Sequence, residues 1–125
     1  MPNENSRQIV NSFGEQLTLK LETVPKVASK INIIIDEIYS NIVNYSKANL
    51  AEIRYSIENG KIVLSFIDNG FPYNPLEMVD PDITLSAEER DIGGLGIFIV
   101  KKMADTIEYK YEETKNILKV IISLN

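Results

Sequence analysis

The feature that most constrains the fold is a pair of alternating segments joined by an Asn-Gly dipeptide. Ala51–Glu58 (AEIRYSIE) and Lys61–Ile67 (KIVLSFI) both alternate between apolar and polar side chains. Asn59-Gly60 lies between them and is a preferred dipeptide of the two-residue hairpin turn, because Asn and Gly tolerate positive φ. The pattern therefore predicts two antiparallel strands joined by a tight turn.

Helical periodicity predicts three helices. Apolar side chains recur at spacings of three and four from Glu4 to Leu17. A second helix is expected from about Pro25 to Tyr45, with Thr23 as its N-cap and the proline in the first turn, where its missing N–H costs little. A third is expected from Leu95 to about Ala104, and its start is rich in glycine.

The rest of the chain predicts a long loop and a second hairpin. Phe71–Asp91 contains three prolines and no sustained period, and a loop of about 20 residues is unusual unless it is a functional lid, here over about residues 71–93. Strands are expected at Ile107–Glu113 and Ile117–Leu124, joined through Thr114–Asn116. Helices on one face of a mixed, mostly antiparallel sheet predict an α+β two-layer sandwich. Residues 1–125 are expected to form a single domain.

Composition excludes several function classes. The net charge of −5 and a pI of about 4.8 argue against nucleic-acid binding. The chain has no cysteine and no histidine, so disulfides, zinc-thiolate sites and imidazole catalysis are excluded. No stretch approaches the roughly 20 apolar residues that cross a bilayer. A cytoplasmic protein without a membrane partner is expected.

Polar side chains on the second helix form a candidate site. Glu37 and Asn41 are four residues apart and therefore lie on one helix face, with Asn44 beside them. Carboxylate and amide oxygens suit Mg²⁺, which takes one or two protein ligands together with nucleotide phosphates. Taken alone, the same residues are more typical of a solvated helix face.

Asp68-Asn69-Gly70 directly follows a predicted strand. Such a tripeptide is usually a turn, because Asp and Asn form local hydrogen bonds and glycine permits positive φ. The functional alternative is a carboxylate at a strand end that accepts a hydrogen bond from the amino group of adenine.

Gly93-Gly94-Leu95-Gly96 precedes an apolar helix. Backbone N–H groups and the positive end of a helix dipole converge there, which favours an anion site, while a glycine hinge or a close helix-to-sheet contact remains the structural alternative. The segment is not a Walker A loop, because no Gly-Lys-Ser/Thr follows, and it is not a Rossmann fingerprint, because no strand precedes it. Lys101 and Lys102 are read as solvent-facing charges.

In chain order, these motifs resemble the N, G1 and G2 boxes of the GHKL (histidine-kinase-like) ATPases. The matching segments are the helix DEIYSNIVNYS, the turn Asp68-Asn69-Gly70-Phe71-Pro72, the lid, and the helix start Gly94-Leu95-Gly96. The resemblance covers about residues 29–125 and is strongest to the serine-protein kinases that act as anti-sigma factors in bacterial partner-switching systems. It implies a Bergerat-type fold that binds ATP and Mg²⁺.

The resemblance also implies roles for individual residues and partners. They are a catalytic base, Glu37; a Mg²⁺ ligand, Asn41; and nucleotide-binding positions, Asn41, Asp68, Gly70, Gly94, Leu95 and Gly96. The implied reaction transfers the γ-phosphate of ATP to a serine or threonine of an anti-sigma-factor antagonist, with Glu37 accepting the hydroxyl proton. The same domain would sequester a sigma factor.

Two departures and three alternatives accompany this reading. Pro72 replaces a glycine of the usual G1 pattern and stiffens the entrance to the lid, and the family's N-terminal strand is not evident, which leaves dimerisation open. The alternatives are an ATP-binding switch without catalysis, the detached catalytic domain of a histidine kinase, and an interaction module that binds no nucleotide.

Overall fold

A computed structural model of the chain describes residues 25–77 and 95–124. The helices and strands in these ranges are α1 (Pro25–Asn41), β1 (Ala51–Glu58), β2 (Lys61–Asp68), α2 (Leu95–Met103), β3 (Thr106–Glu112) and β4 (Lys115–Ser123). A π-helical turn, Ile42–Ser46, continues α1, and a 3-10 turn, Pro75–Glu77, follows β2. The predicted helix Glu4–Leu17, the Thr23 cap and most of the predicted lid lie outside the described residues.

The four strands form one sheet in the order β1-β2-β4-β3, and each pairing is antiparallel. With α1 and α2 packed on it, the sheet confirms the predicted α+β two-layer sandwich. The first hairpin turns at Asn59-Gly60, where both residues have positive φ, 53° and 76°. These values fit the turn type that the Asn-Gly dipeptide favours.

The second hairpin is confirmed, but its predicted turn at Thr114–Asn116 is wrong. The turn is Glu113-Thr114, with φ of 51° and 62°, and Asn116 already pairs with Asp68 across β2 and β4. Neither turn residue is glycine or asparagine, so the sequence carried no strong signal for this geometry. Pairing of β4 with strands on both sides fixes the turn position instead.

The inward-facing rows of the two central strands build the core. The buried apolar residues of these rows are Ile62, Leu64 and Phe66 on β2 and Leu118, Val120 and Ile122 on β4. Each row ends in a buried polar residue, Asp68 on β2 and Asn116 on β4, and these two are direct partners in the register. The edge of the apolar core is therefore also the place where two polar side chains meet.

Both helices pack their apolar side chains on this face of the sheet. The buried members are Val27, Ile31, Ile34, Ile35 and Ile38 of α1 and Ile97 and Val100 of α2. Full burial of such a side chain stabilises the fold by roughly 1.5–3 kcal/mol. None of the helices in the described ranges is long and apolar enough to cross a membrane.

The end of α1 differs from the prediction of a helix that reaches Tyr45. The α-helix ends at Asn41, and the wider π-helical turn carries the chain to Ser46. Lys47 then adopts a left-handed conformation, with φ of 56°, and its N–H donates to the carbonyl of Ile42 at 3.2 Å. This turn directs Ser46 inward, where it is only 1% exposed, toward the end of β2.

Candidate functional site

A cleft lies where the end of α1 meets the ends of β2 and β4. It has about 320 Å³ of empty space, part of it open to solvent. Its walls combine apolar with polar side chains: Ile38, Ile42, Phe66, Pro75 and Leu118 with Asn41, Ser46, Asp68, Tyr73, Tyr109 and Asn116. An apolar cleft with a few converging polar groups is the usual form of a site for a small ligand.

Asp68 is the charged group of the cleft and is only 5% exposed. One of its oxygens, Oδ1, accepts three hydrogen bonds: from the Ser46 hydroxyl at 2.6 Å, from the Gly70 N–H at 2.9 Å and from Asn116 Nδ2 at 3.0 Å. A buried carboxylate needs such donors, because burial of a polar group without hydrogen bonds is costly. Within the described residues all three bonds end on Oδ1, and none of them involves the other oxygen, Oδ2.

Gly70 is required by close packing against the end of the π-helical turn. A Cβ atom at this position would lie 2.0 Å from Ser46 Oγ and 2.2 Å from the Ser46 carbonyl oxygen. The same turn is held by a hydrogen bond of 2.9 Å from the Phe71 N–H to the Ser46 carbonyl. The glycine therefore permits the contact through which Ser46 reaches Asp68.

Asn116 is a site residue that sequence analysis missed, because it was assigned to a turn. It is 4% exposed, and its Nδ2 donates to Asp68 and to the Phe71 carbonyl at 2.8 Å. Its Oδ1 accepts from the Tyr73 N–H at 3.0 Å and from the Tyr109 hydroxyl. The alternation of the strand carried a usable signal. Side chains two positions apart face the same side of a sheet, so Asn116 must face inward like Leu118.

Tyrosine side chains form one side of the cleft and were also missed. The rings of Tyr45 and Tyr73 stack with centroids 5.2 Å apart and an angle of 17° between their planes. Burial raises the pKa of Tyr73 to about 12, and the neighbouring Tyr45 adds to the shift. Burial also raises the pKa of Tyr109, so both phenols are neutral hydrogen-bond donors at ordinary pH.

Asn41 lies in the cleft wall, as a nucleotide ligand would require, and is 8% exposed. Its buried Nδ2 has no hydrogen-bond partner among the described residues. A buried amide nitrogen of this kind favours an acceptor such as a phosphate or water oxygen, and a half-turn of the amide would present Oδ1 to a cation instead. Asn44, which the sequence placed beside it, is exposed.

Glu37 and Gly96 meet where α1 and α2 approach each other. A Cβ atom at position 96 would lie 2.3 Å from Glu37 Oε2, so the carboxylate rests against the first turn of α2. Leu95 is the first residue of that helix, and Gly94 lies outside the described residues. Lys102 is away from this contact, with its Nζ 5.3 Å from the centre of the Phe98 ring.

Comparison with known proteins agrees with this geometry. The family model of the histidine kinase-like ATPase domain matches residues 4–122, which is most of the chain. The chain belongs to this family. A search of the curated proteins gave no match.

A solved structure supports the fold of this histidine kinase-like ATPase domain. The histidine kinase AdeS of Acinetobacter baumannii superposes with a TM-score of 0.51 over 78% of this chain, at 22% sequence identity. The chain spans 47% of the length of that structure, somewhat less than half. At this identity the likeness concerns the fold.

ATPase domains of this family bind ATP, usually with Mg²⁺. Residues 25–77 and 95–124 contain no group of three or more acidic, histidine or cysteine side chains suited to hold a metal. Mg²⁺ bound together with a nucleotide needs no such group, since phosphates and water supply most of its ligands. The amide of Asn41 fits the part of a single protein ligand.

Proposed function

We propose that the chain binds Mg²⁺-ATP in the cleft and transfers the γ-phosphoryl group to a serine or threonine of a partner protein. By resemblance, that partner is an anti-sigma-factor antagonist, and the same domain sequesters a sigma factor. The observation that carries the proposal is the buried carboxylate of Asp68, which lines the cleft and accepts hydrogen bonds from three donors on one of its two oxygens.

The adenine end of the proposed site is formed by Asp68 and the apolar walls. An ionised carboxylate accepts and does not donate, so Oδ2 suits the exocyclic amino group of adenine. Phe66 and Leu118 supply apolar surface for a flat base. Tyr73 lines the same space and stacks on Tyr45.

The phosphate end is formed by α1 and the start of α2. Asn41 is one turn of α1 beyond Glu37, and Glu37 in turn contacts Gly96. When bound, Mg²⁺ would neutralise charge on the phosphates, with Asn41 as its protein ligand. Glu37 would accept the proton of the attacking hydroxyl as its oxygen bonds to the γ-phosphorus, and ADP would leave.

A histidine kinase catalytic domain would use the same nucleotide site and transfer the phosphoryl group to histidine. The fold shared with AdeS is the observation in favour of this second candidate. The 125 residues contain no histidine, so a histidine acceptor would belong to another protein or to another part of a longer chain. The chemistry of the acceptor distinguishes the two candidates, because phosphoserine is stable in acid and phosphohistidine is not.

The first experiment is calorimetry of Mg²⁺-ATP binding to the wild type, Asp68→Asn and Glu37→Ala. Asp68→Asn retains Oδ1 for its three donors but places an amide nitrogen opposite the adenine amino group. Two facing donors should weaken binding by about 10- to 100-fold. Glu37→Ala should retain binding. A wild type that does not bind ATP would contradict the proposal at its first step.

Phosphotransfer is tested with γ-labelled ATP and an anti-sigma-factor antagonist protein from the same organism. We expect acid-stable label on the antagonist, and none with Glu37→Ala or with an antagonist whose acceptor serine is changed to alanine. Acid-labile label on a histidine-containing partner would favour the histidine kinase reading. ATP binding without transfer to any partner would favour a nucleotide-dependent switch.

A further inference from the structure

β3 forms one edge of the sheet. Within residues 25–77 and 95–124, it pairs with β4 on one side and with no strand on the other. An edge of this kind presents a row of backbone N–H and C=O groups that can pair with another strand. β3 is seven residues long and contains no proline or glycine that would interrupt such pairing. Its free side is therefore a candidate interaction surface.

The turn of the second hairpin determines which backbone groups of β3 point to the free side. The turn has two residues, so the flanking residues Glu112 and Lys115 form a hydrogen-bonded pair. Hydrogen-bonded and non-hydrogen-bonded pairs alternate along an antiparallel ladder. The backbone groups of Ile107, Tyr109 and Tyr111 consequently point away from β4, and a strand added at this edge must bond to them.

The β3 strand of a second copy meets this requirement in an antiparallel pairing centred on Tyr109. The residues with outward backbone groups are symmetric about this position. Tyr109 then lies opposite the same residue of the second copy, and Ile107 lies opposite Tyr111. All seven positions of each strand have a partner, because β3 extends three residues on either side of Tyr109.

The charged side chains on the outer face of the sheet are complementary in this register. Glu108 lies opposite Lys110 of the second copy, and two-fold symmetry forms this contact twice. Opposite charges that face each other across an antiparallel pair are favourable, and like charges are unfavourable. Across β4, Lys110 faces the apolar Ile117. The ion pair of Lys110 with Glu112, at 3.0 Å, joins two side chains that are more than half exposed, so giving it up costs little.

The side chains on the inner face are complementary as well. Tyr111 is 43% exposed, and the pairing places Ile107 of the second copy directly across from it. Aromatic side chains opposite β-branched or aromatic ones are stabilising cross-strand pairs. Ile107 and Tyr109 already pack against the core, so the pairing continues the apolar layer from one copy to the other.

The other edge strand, β1, lacks this self-complementarity. β1 has eight residues, and the pair that closes its turn, Glu58 and Lys61, determines which backbone groups point outward. The two longest registers that these directions allow place Arg54 opposite the same residue of the second copy, or Glu52 opposite Glu58. Like charges that face each other oppose pairing. Self-association by a sheet edge therefore favours β3.

We infer that β3 is the interface of a homodimer in which two copies of the chain join their sheets edge to edge. The occupant is a second copy, because a lysine in an edge strand opposes pairing with an unrelated strand but faces a glutamate in its own copy. One pair of short strands is a small interface, so the dimer is expected to be reversible. The inference goes beyond the proposed function and does not depend on nucleotide binding.

The first test is sedimentation equilibrium without nucleotide at about 10 µM to about 1 mM, where a reversible dimer should form as the concentration rises. Lys110→Glu places two carboxylates opposite each other at both symmetric contacts, and Glu108→Lys places two ammonium groups there. Each should weaken dimerisation by at least about tenfold. A mixture of the two variants restores both opposite-charge contacts and should dimerise within about threefold of the wild type. Urea unfolding verifies that each variant is folded.

Arg54→Glu and Glu52→Lys are the matched controls, because they make the same changes of charge on the other edge strand. Both should leave the dissociation constant of the dimer within about twofold of the wild type. A wild type that is monomeric at every concentration would overturn the inference. A dimer that the β3 variants do not weaken would overturn it as well.

Disulfide formation tests the register. The chain has no cysteine, so a single-cysteine variant forms disulfides only between copies. Glu108 and Lys110 of the second copy would form a non-hydrogen-bonded pair, with Cα atoms about 4.5 Å apart, which suits a disulfide. A mixture of Glu108→Cys and Lys110→Cys should therefore cross-link. Either variant alone should cross-link much less, because its cysteines lie on a diagonal of about 7–8 Å. Equal cross-linking in the mixture and in the single variants would contradict a pairing centred on Tyr109.

Amide hydrogen exchange distinguishes a second copy from another occupant of the edge. The N–H groups of Ile107, Tyr109 and Tyr111 should exchange more slowly as the concentration rises through the dissociation constant of the dimer. Protection that is independent of concentration would assign the edge to another segment of the same chain and overturn the inference. These measurements use no nucleotide, so a failure of ATP binding would contradict the proposed function and leave the dimer standing.

Discussion

A buried carboxylate needs hydrogen-bond donors, and three different parts of the chain supply them to Asp68. The hydroxyl comes from Ser46 at the end of the π-helical turn, the backbone N–H from Gly70 two residues on, and the amide from Asn116 on the neighbouring strand. Charge-assisted hydrogen bonds of this kind are about twice as strong as neutral ones. The carboxylate is therefore also a link between α1, β2 and β4.

Gly70→Ala tests how closely this link is packed. The new Cβ atom would overlap both the hydroxyl and the backbone carbonyl of Ser46, so the turn must move and the hydrogen bond to Asp68 must lengthen. We expect a loss of about 1–3 kcal/mol in the free energy of unfolding, measured with urea, and weaker ATP binding.

Ser46→Ala is the matched control for that prediction. It removes one hydrogen bond to Asp68, at a cost of about 1–3 kcal/mol because the acceptor is charged. The double variant Ser46→Ala/Gly70→Ala should be no more stable than Gly70→Ala alone. The carbonyl oxygen of residue 46 remains in the double variant, 2.2 Å from the position of the added Cβ. A Gly70→Ala variant as stable as the wild type would contradict the packing argument.

Prediction from the sequence identified those site residues whose role follows from a local motif. Asp68 and Gly70 form a recognisable turn after a strand, and both lie at or beside the cleft. Ser46 and Asn116 were missed because their importance depends on which strands pair and on the π-helical end of α1. No local pattern shows that residues 22 and 48 positions from Asp68 meet the same oxygen.

At the scale of elements, prediction succeeded where pattern and turn chemistry agree. The first hairpin has both alternating strands and an Asn-Gly turn, and its bounds differ from those predicted by one residue, Asp68. In the second hairpin, the turn residues Glu113 and Thr114 both have positive φ, although neither residue type favours that conformation. The register of β4 against β2 and β3 provides enough pairing to fix that turn, and pairing is a tertiary property.

The contact between α1 and α2 leads to a prediction about catalysis. A Cβ atom added by Gly96→Ala would meet the end of the Glu37 side chain, which can rotate away without moving the backbone. The free energy of unfolding should therefore change by no more than about 1 kcal/mol. Phosphotransfer should fall by at least about tenfold, and by more than ATP affinity, because small displacements of a catalytic group are costly.

A double-mutant cycle identifies the route of that effect. If Gly96→Ala acts by displacing the Glu37 carboxylate, the double variant Glu37→Gln/Gly96→Ala transfers phosphate no more slowly than Glu37→Gln alone. If the losses in phosphotransfer rate caused by Glu37→Gln and Gly96→Ala add in the double variant, Gly96 acts on the phosphates directly and not through Glu37.

At the scale of the whole molecule, alternation and helical periodicity were sufficient for the fold class. The inward rows of β2 and β4 and the apolar face of α1 combine into one core on one side of the sheet. The cleft is located where these rows stop being apolar. This explains why the fold class was easier to predict than the cleft, which depends on three elements ending at the same place.

The stability of the whole molecule should depend on pH in the alkaline range through Tyr73, which is partly buried. Burial raises the pKa of Tyr73 to about 12 in the folded protein, whereas an unfolded tyrosine has a pKa of about 10. Between these values the folded state holds a proton that the unfolded chain has lost, so its stability is complete below about pH 10 and falls as the pH rises toward 12.

Tyr73→Phe should make this decline shallower, because the variant has no phenol to ionise at this position. Urea unfolding at about pH 8 and about pH 11 should show the variant gaining stability relative to the wild type at the higher pH. Tyr111→Phe, at an exposed position on β3, controls for the general effect of alkali on the net charge. If the curves of the two variants stay parallel to that of the wild type, burial of Tyr73 beside the cleft does not control its ionisation.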